Sequence, residues 1–406
     1  MAHAEVSGRF RRAWALHVLL VFLASRIIST AILAWFAVHQ GPSQWTGERT
    51  DFLTFSNLWD GRWYEIVAYY GYPAALPVGE SGHVTENAWA FMPAYPLLVR
   101  GLVELSGLPF DLVAVVLAVA CAFGSALVLH RLMSTWLPSG WALAVVALYC
   151  CNPVSPILQV AYAESMHALL LTTALLLLVR RRYLAMLPVV ALMAITRPSG
   201  LAFALAMAGH VAYRWWASRP ARGDRREGFP AVEFWAASLV GLVSALVALA
   251  WPLAAAIATG SLTAYTDTEL AWRSGYIGHQ ELVPFTPWFQ GAAWWAEFNG
   301  LPAWLGVVVL VVALALVVAA MRSPWMRRLG PDVRIWVGAW LVYLLAVFFP
   351  QSSTWRLLFP AFPVLGALAV PRSRLLIAAT LVVFVVAQWF WVAGMWAVSE
   401  HDWTPP

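Results

Sequence analysis

Apolar runs long enough to cross a membrane recur along the whole chain, separated by short clusters that are rich in charge or in aromatic residues. A spanning helix needs about 20 apolar residues, each adding about 1.5 Å. The pattern predicts crossings at about residues 14–38, 110–130, 140–155, 157–179, 183–196, 199–216, 235–258, 303–321, 334–350, 356–371 and 375–397. That makes about eleven. Several are short or carry proline, as around Pro153, Pro156 and Pro198, and pairs of them have the character of half-helices or re-entrant pieces. The expected fold is therefore all-α and polytopic, one integral membrane domain over 1–406. Two larger segments, 39–109 and 259–302, interrupt the succession of helices. The first run follows Arg9, Arg11 and Arg12, is long for a signal-peptide core and lacks a small-residue cleavage site, so it is read as a retained first helix.

Composition agrees with this pattern. Hydrophobic residues make up 62% of the chain and charged ones only 11%, with a mean hydropathy of +0.72, too apolar for a soluble domain with a polar surface. The formal charge of +5 carries no nucleic-acid signal in such a chain. Cys121, Cys150 and Cys151 all lie inside apolar runs and read as packing residues rather than a disulfide framework.

Charge then orients the chain. All 25 basic residues are Arg, and with the amino terminus placed in the cytoplasm 18 of them fall on that side. These include Arg180, Arg181 and Arg182, the segment from Arg214 to Arg226, Arg322 to Arg334, and Arg372 with Arg374. Arginine retention is the recognised determinant of orientation. The two larger segments then face outward at the plasma membrane, and both are rich in Trp, Tyr, Pro and Gly. Such residues serve as interfacial anchors, and they also build sugar-binding surfaces.

Candidate chemistry gathers in the outer segments and at the outer ends of spans. In residues 56–73, Asp60 and Glu65 sit among Trp59, Trp63, Tyr64, Tyr69 and Tyr70, with Arg62 between them. A helix starting near Asn57 would place Asp60 in its first turn, where unpaired N–H groups favour a carboxylate. The same carboxylate, partly desolvated, could serve as a general base toward an acceptor hydroxyl. Pro93 and Pro96 are expected to stop a helix and hold backbone open at the interface. His83 and Glu86 form a weak pair that makes no metal site alone. Asn152, Tyr162, Glu164 and Ser165 are polar at a depth where lipid penalises them, and Glu164 with His167 is an i, i+3 pair on one helical face. Arg197 and Arg356 lie near the outer ends of spans, against the topological bias, and each needs a carboxylate or an anionic ligand. Arg26, inside the first span, is a weaker case. Residues 261–290 offer Asp267, Glu269, Arg273, His279 and Glu281 in a stretch long enough for a mobile lid, and no spacing singles one out.

The order of these pieces resembles the PIG-V type mannosyltransferases, the family of the second mannosyltransferase of glycosylphosphatidylinositol assembly, and its bacterial relatives. The matching residues are Trp59 and Asp60 with Gly71 and Tyr72; Phe91, Pro93, Tyr95 and Pro96; Asn152, Pro153, Tyr162, Glu164 and Ser165; Thr196, Arg197 and Gly200; and Arg356 with Pro360, Phe362 and Pro363. Ser353, Thr354 and Trp355 depart from the more polar, proline-containing stretch expected before Arg356. The resemblance implies a GT-C type fold and transfer of mannose, with inversion, from polyprenyl-phosphate mannose to a lipid or glycolipid acceptor. It implies Asp60 as the base and Arg197 or Arg356 as holder of the carrier phosphate. Arg62, Tyr64, Glu164, His83 and Glu86 complete the candidate substrate-binding set. Such chemistry needs a base, cationic groups on the phosphate and positioning, and requires no metal or other cofactor. A secondary transporter or lipid flippase is the competing class, since broken helices and buried arginines would serve it too.

Overall fold

The computed structural model describes residues 2–42, 45–219 and 228–398. Among these residues the chain is helical, with no strand beyond one isolated bridge between Val78 and Val84. Among the described residues, six helices are long and apolar enough to cross a membrane: Ala13–His39, Phe110–Met133, Ala231–Thr259, Ala303–Arg322, Gly330–Val347 and Arg374–Trp396. The helix Ala303–Arg322 has only 6% of its apolar window buried, so a non-aqueous surrounding must cover it. The chain is thus an all-helical polytopic membrane protein.

The other five expected crossings fall on different structures. Ser139–Cys151, Glu164–Val179 and Tyr183–Ala194 are shorter apolar helices. Gly200–Ala217 has 18 residues but carries His210 and Arg214 and is not among the six. The run 157–179 is not one helix. A 3-10 turn, Ser155–Gln159, and an extended stretch precede Glu164. The run 356–371 is likewise divided into Thr354–Leu358, a 3-10 piece Phe359–Leu365, and Gly366–Ala369. Prolines at 153, 156, 360 and 363 account for these breaks, because each removes a backbone donor and blocks the preceding turn. By contrast Pro93 and Pro96 begin a helix: Pro93 precedes Ala94–Ser106 and Pro96 lies in its first turn, where the lost N–H had no partner anyway.

The larger segments are also mostly helical. The first holds Phe52–Ser56, Asp60–Tyr70 and Ala94–Ser106, and the second holds Ala264–Ile277 and Pro287–Phe298. Asn57 closes the first short helix rather than opening the next, so the second helix begins at Asp60 itself.

Broken helices expose backbone carbonyls that an apolar surrounding cannot satisfy. Arg26 supplies several of the missing donors. Its guanidinium donates to the carbonyls of Cys150 at 2.7 Å and Ser155 at 2.9 Å and to Gln159 Oε1 at 3.0 Å, so it braces the break after Ser139–Cys151. Gln388 donates to the Cys151 carbonyl at 2.8 Å from the helix Arg374–Trp391. Tryptophans do the same work elsewhere: Trp336 donates to Pro360 O, Trp340 to Leu357 O, Trp251 to Trp89 O and Trp396 to Phe55 O. The indoles expected as interfacial anchors therefore include several that tie one segment's backbone to another.

The arginine-rich ends of the helices assemble at one end of the bundle. There Arg214 meets Glu233 at 3.2 Å and His210 meets Asp332 at 2.6 Å, while Tyr183 contacts both His210 and Glu233 at 2.9 Å. Arg222, Asp224, Arg225, Arg226 and Glu227 lie outside the described residues.

Gly200 starts its helix at a close crossing. A Cβ there would lie 2.8 Å from the Ala194 and Ala248 methyl carbons and 2.9 Å from the Ser244 carbonyl oxygen. Gly200→Ala is expected to destabilise the protein by about 1 to 3 kcal/mol through forced backbone movement. Unfolding in detergent, followed against Gly209→Ala, where a single side-chain atom, the Cγ2 methyl of Ile335, intrudes, reads this out.

Candidate active site

Asp60 is the first residue of the helix Asp60–Tyr70, and Glu164 is the first of Glu164–Val179. Each carboxylate therefore sits where a helix presents unpaired N–H groups. Arg356 reaches both: its Nη1 donates to Asp60 Oδ2 and, at 3.0 Å, to Glu164 Oε1. Arg197 Nη1 donates to the same Glu164 oxygen at 2.5 Å. Two carboxylates and two guanidiniums from four distant segments thus form one charge-neutral cluster. Their side chains are between 4% and 14% exposed, so solvent does little to hold these charges apart or to screen them. Of the two partners the arginines could take, a carboxylate or an anionic ligand, the carboxylates Asp60 and Glu164 are present.

Local structure holds each member in place. Trp59, just before Asp60, has φ +55° and ψ −120°, a strained conformation for a residue with a side chain. It is held there by the bond from its indole to the Trp396 carbonyl at 2.8 Å. The Asp60 N–H donates to the Tyr162 hydroxyl at 3.0 Å, and Arg356 lies over the Tyr162 ring at 5.4 Å. Glycine at 61 leaves room for the Asn57 side chain, whose Oδ1 would lie 2.7 Å from an added Cβ. Ala161 N–H donates to Ser56 O at 2.9 Å and joins the stretch before Glu164 to the segment before Asp60. Arg197 follows the helix Tyr183–Ala194. The next turn is fixed by Ser199, whose hydroxyl meets His167 Nε2 at 2.9 Å. Glu164 and His167 therefore do not pair with each other; both reach the Arg197–Ser199 turn.

Around this cluster, buried polar atoms lie without a hydrogen-bond partner: Ser56 Oγ, Asn57 Oδ1, Arg62 Nε, Glu164 Oε2, Ser165 Oγ and Arg356 Nε. Leaving such atoms unpaired costs about 1 to 3 kcal/mol apiece. These six, of fifteen such atoms among the described residues, offer donors and acceptors to a polar ligand beside the charge cluster. The neighbouring wall is aromatic. Trp63 stacks on Phe91 at 5.4 Å, and Trp272 meets both rings edge-on at 5.9 and 6.0 Å. Tyr64 is buried against Phe91 and Tyr95.

The remaining expected residues separate. Arg62 pairs with Glu65 at 3.0 Å, and Glu65 also accepts from Asn57, so both belong to the rim of the site rather than to its charge cluster. His83 is exposed and stacks on His279 at 4.2 Å, joining the two larger segments to each other. Glu86 is exposed and forms no hydrogen bond or ion pair among the described residues. His83 and Glu86 are thus not brought to the cluster, because the polar turn around Val78 and Val84 carries them to the surface. Asn152 caps its own helix end and supports the fold.

Glu269 is the residue that spacing did not single out. Its helix, Ala264–Ile277, is docked rather than loose: Asn87 donates to Thr268 Oγ1 at 2.8 Å, and Trp272 enters the aromatic wall. Glu269 accepts from Tyr265 and lies in the field of Arg197 and Asp60. Only the fold could reveal this, since Asp267 and Glu281 share its composition and neighbourhood in sequence. Burial pushes the Asp60 carboxyl above its ordinary range, with Arg356 opposing and Glu164 reinforcing the rise. Burial likewise pushes Glu269 up to about 7. Arg273, one turn further, holds the following loop by donating to the carbonyls of Gln280 and Glu281.

A raised carboxyl favours folding in its protonated form. The contribution of Glu269 is full below its ordinary value of 4.5 and is lost as pH rises through about 7. Glu269→Gln is therefore expected to flatten the fall in melting temperature across that interval. A variant whose melting temperature falls with the same slope as the wild type would contradict the placement of Glu269.

No family model matches the chain, and no curated protein matches it either.

Proposed function

We propose that this chain is a membrane glycosyltransferase of the GT-C type, an inverting mannosyltransferase. It would take mannose from polyprenyl-phosphate mannose and pass it to a lipid-linked or membrane-proximal acceptor on the extracytoplasmic face. The observation that carries this reading is the contact between Asp60 and Arg356, a base and a phosphate-binding group in one buried site, with unpaired polar atoms and an aromatic wall beside them.

In this reading Arg356 changes partner during the reaction. A donor phosphate entering the cluster accepts hydrogen bonds from Arg356 and Arg197, whose planar forks suit phosphate oxygens. Asp60, no longer held by Arg356, turns to the acceptor hydroxyl. Asp60 takes the hydroxyl proton as the acceptor oxygen bonds to the anomeric carbon, and the bond from that carbon to the phosphate oxygen breaks on the opposite face. The electron pair leaves with the phosphate, where the two guanidiniums stabilise the charge. Glu164 stays between the arginines and fixes their spacing. The aromatic wall of Trp63, Phe91 and Trp272 offers flat apolar faces suited to a sugar ring.

A secondary transporter or lipid flippase is the second reading, favoured by the helix breaks before Glu164 and after Thr354–Leu358. The two are separated by giving purified protein a radiolabelled polyprenyl-phosphate mannose with a membrane lipid extract. Transfer of label to lipid is expected, with Asp60→Asn reducing the rate by about 100- to 10,000-fold. Arg356→Ala and Arg197→Ala should each weaken donor use by about 2 to 5 kcal/mol. Label that crosses vesicle membranes without changing its carrier would support transport instead. Unimpaired transfer by Asp60→Asn would remove the assigned base.

A further inference from the structure

We infer that the end of the bundle opposite the Asp60 cluster carries a binding site for the phosphate headgroup of an anionic membrane lipid, formed around Arg131 and Arg180. The helix Glu164–Val179 links the two regions: Glu164 is in the charge cluster, and Arg180 follows the last turn of the same helix. At about 1.5 Å per residue the two are roughly 24 Å apart along the axis.

A cavity of about 380 Å³ opens there, lined by Trp14, His130, Arg131, Ser134, Thr135, Ser139 and Arg180. Four helices contribute to it, so it is a product of the fold rather than of one charged stretch. Arg131 is pre-oriented. Its guanidinium lies 4.9 Å above the Trp14 ring, and that ring is stacked on His130 at 5.1 Å with the planes 10° apart. His130 in turn contacts the Ser139 carbonyl at 3.2 Å. A guanidinium held over an aromatic ring retains N–H donors that an anion can take.

The charge balance around the cavity points to an anion as well. Glu233 is engaged by Arg214, Arg181 and Tyr183, and Asp332 by His210. Among the described residues neither Arg131 nor Arg180 is paired with a carboxylate. Ser139 is also the first residue of the 13-residue helix Ser139–Cys151, whose leading N–H groups add positive potential at the cavity wall. Two guanidiniums without a carboxylate partner among the described residues, hydroxyls and a helix N-terminus make up the donor set that a phosphate ester needs.

The position selects a lipid over a soluble phosphate. Trp14 lies in the first turn of the span Ala13–His39, so the cavity sits at the end of a membrane-crossing helix. A headgroup held at that level has its acyl chains directed along the span into the apolar surrounding. This site does not depend on the chemistry at Asp60.

The test uses full-length protein in detergent, titrated with phosphatidylglycerol or with phosphatidylcholine of the same chains and read by native mass spectrometry. Phosphatidylglycerol is expected to bind more tightly, and Arg131→Ala with Arg180→Ala to weaken it by about tenfold or more. Both arginines are exposed, so the variant should fold; its melting temperature without lipid checks this. Arg322→Ala with Arg374→Ala removes the same charge elsewhere and should leave binding unchanged. Equal losses in the two double variants would overturn the site in favour of general charge attraction. Displacement of the lipid by equimolar glycerol 3-phosphate would overturn the lipid assignment and leave a soluble phosphate ester as the ligand.

Discussion

Burying Asp60, Glu164, Arg197 and Arg356 together is the constraint on which the rest of the structure turns. Any one of these charges alone at this depth would be prohibitively desolvated, and together they neutralise one another. Arg356 is the hub because it touches both carboxylates, which lie 296 and 192 residues away in sequence. Bringing them together requires the segments before residues 60, 164, 197 and 356 to end at the same depth. Three of these segments do so by breaking or starting a helix in place. The strained backbone at Trp59 follows from the same demand, since it lets the helix begin at Asp60 with its carboxyl turned toward Arg356.

Such breaks would be unstable in an apolar surrounding without donors for the freed carbonyls. The chain meets this with side chains that reach across the bundle, Arg26 and Gln388 to the break after Cys150 and Cys151, and Trp336 and Trp340 to the irregular piece after Arg356. Arg26 thereby acquires a role of its own. It resembles Arg197 and Arg356 in sequence as an arginine out of place, yet its partners are all neutral oxygens, and it supports the backbone on which Tyr162 and Glu164 are mounted.

This division between structural and site arginines shows what was legible in the sequence. Glu164, Arg197 and Arg356 stood out because each is a charge placed where lipid or topology disfavours one, and Asp60 because it sits among aromatic side chains in an outer segment; neither argument needs knowledge of the fold. The helical membrane character was equally open, because mean hydropathy and run length answer to composition. Which carboxylate meets which arginine was not, since pairing across hundreds of residues leaves no local spacing. The break before Glu164 was signalled by Pro153 and Pro156, whereas the one within 359–365 was read through as one span, because the apolar run continues across it and its carbonyls are satisfied by residues far away. Glu269 escaped notice because only the docking of its helix on Trp63 and Phe91 distinguishes it from Asp267 and Glu281.

A double-mutant cycle on Asp60 and Arg356 tests the charge cluster most directly. Unfolding free energies in detergent would be measured for wild type, Asp60→Asn, Arg356→Gln and the double variant. The account predicts that the double variant is less damaged than the sum of the singles, with a coupling of about 1 to 3 kcal/mol. Additive losses would contradict it, because they would mean that the two side chains do not share a buried charge interaction in the folded protein.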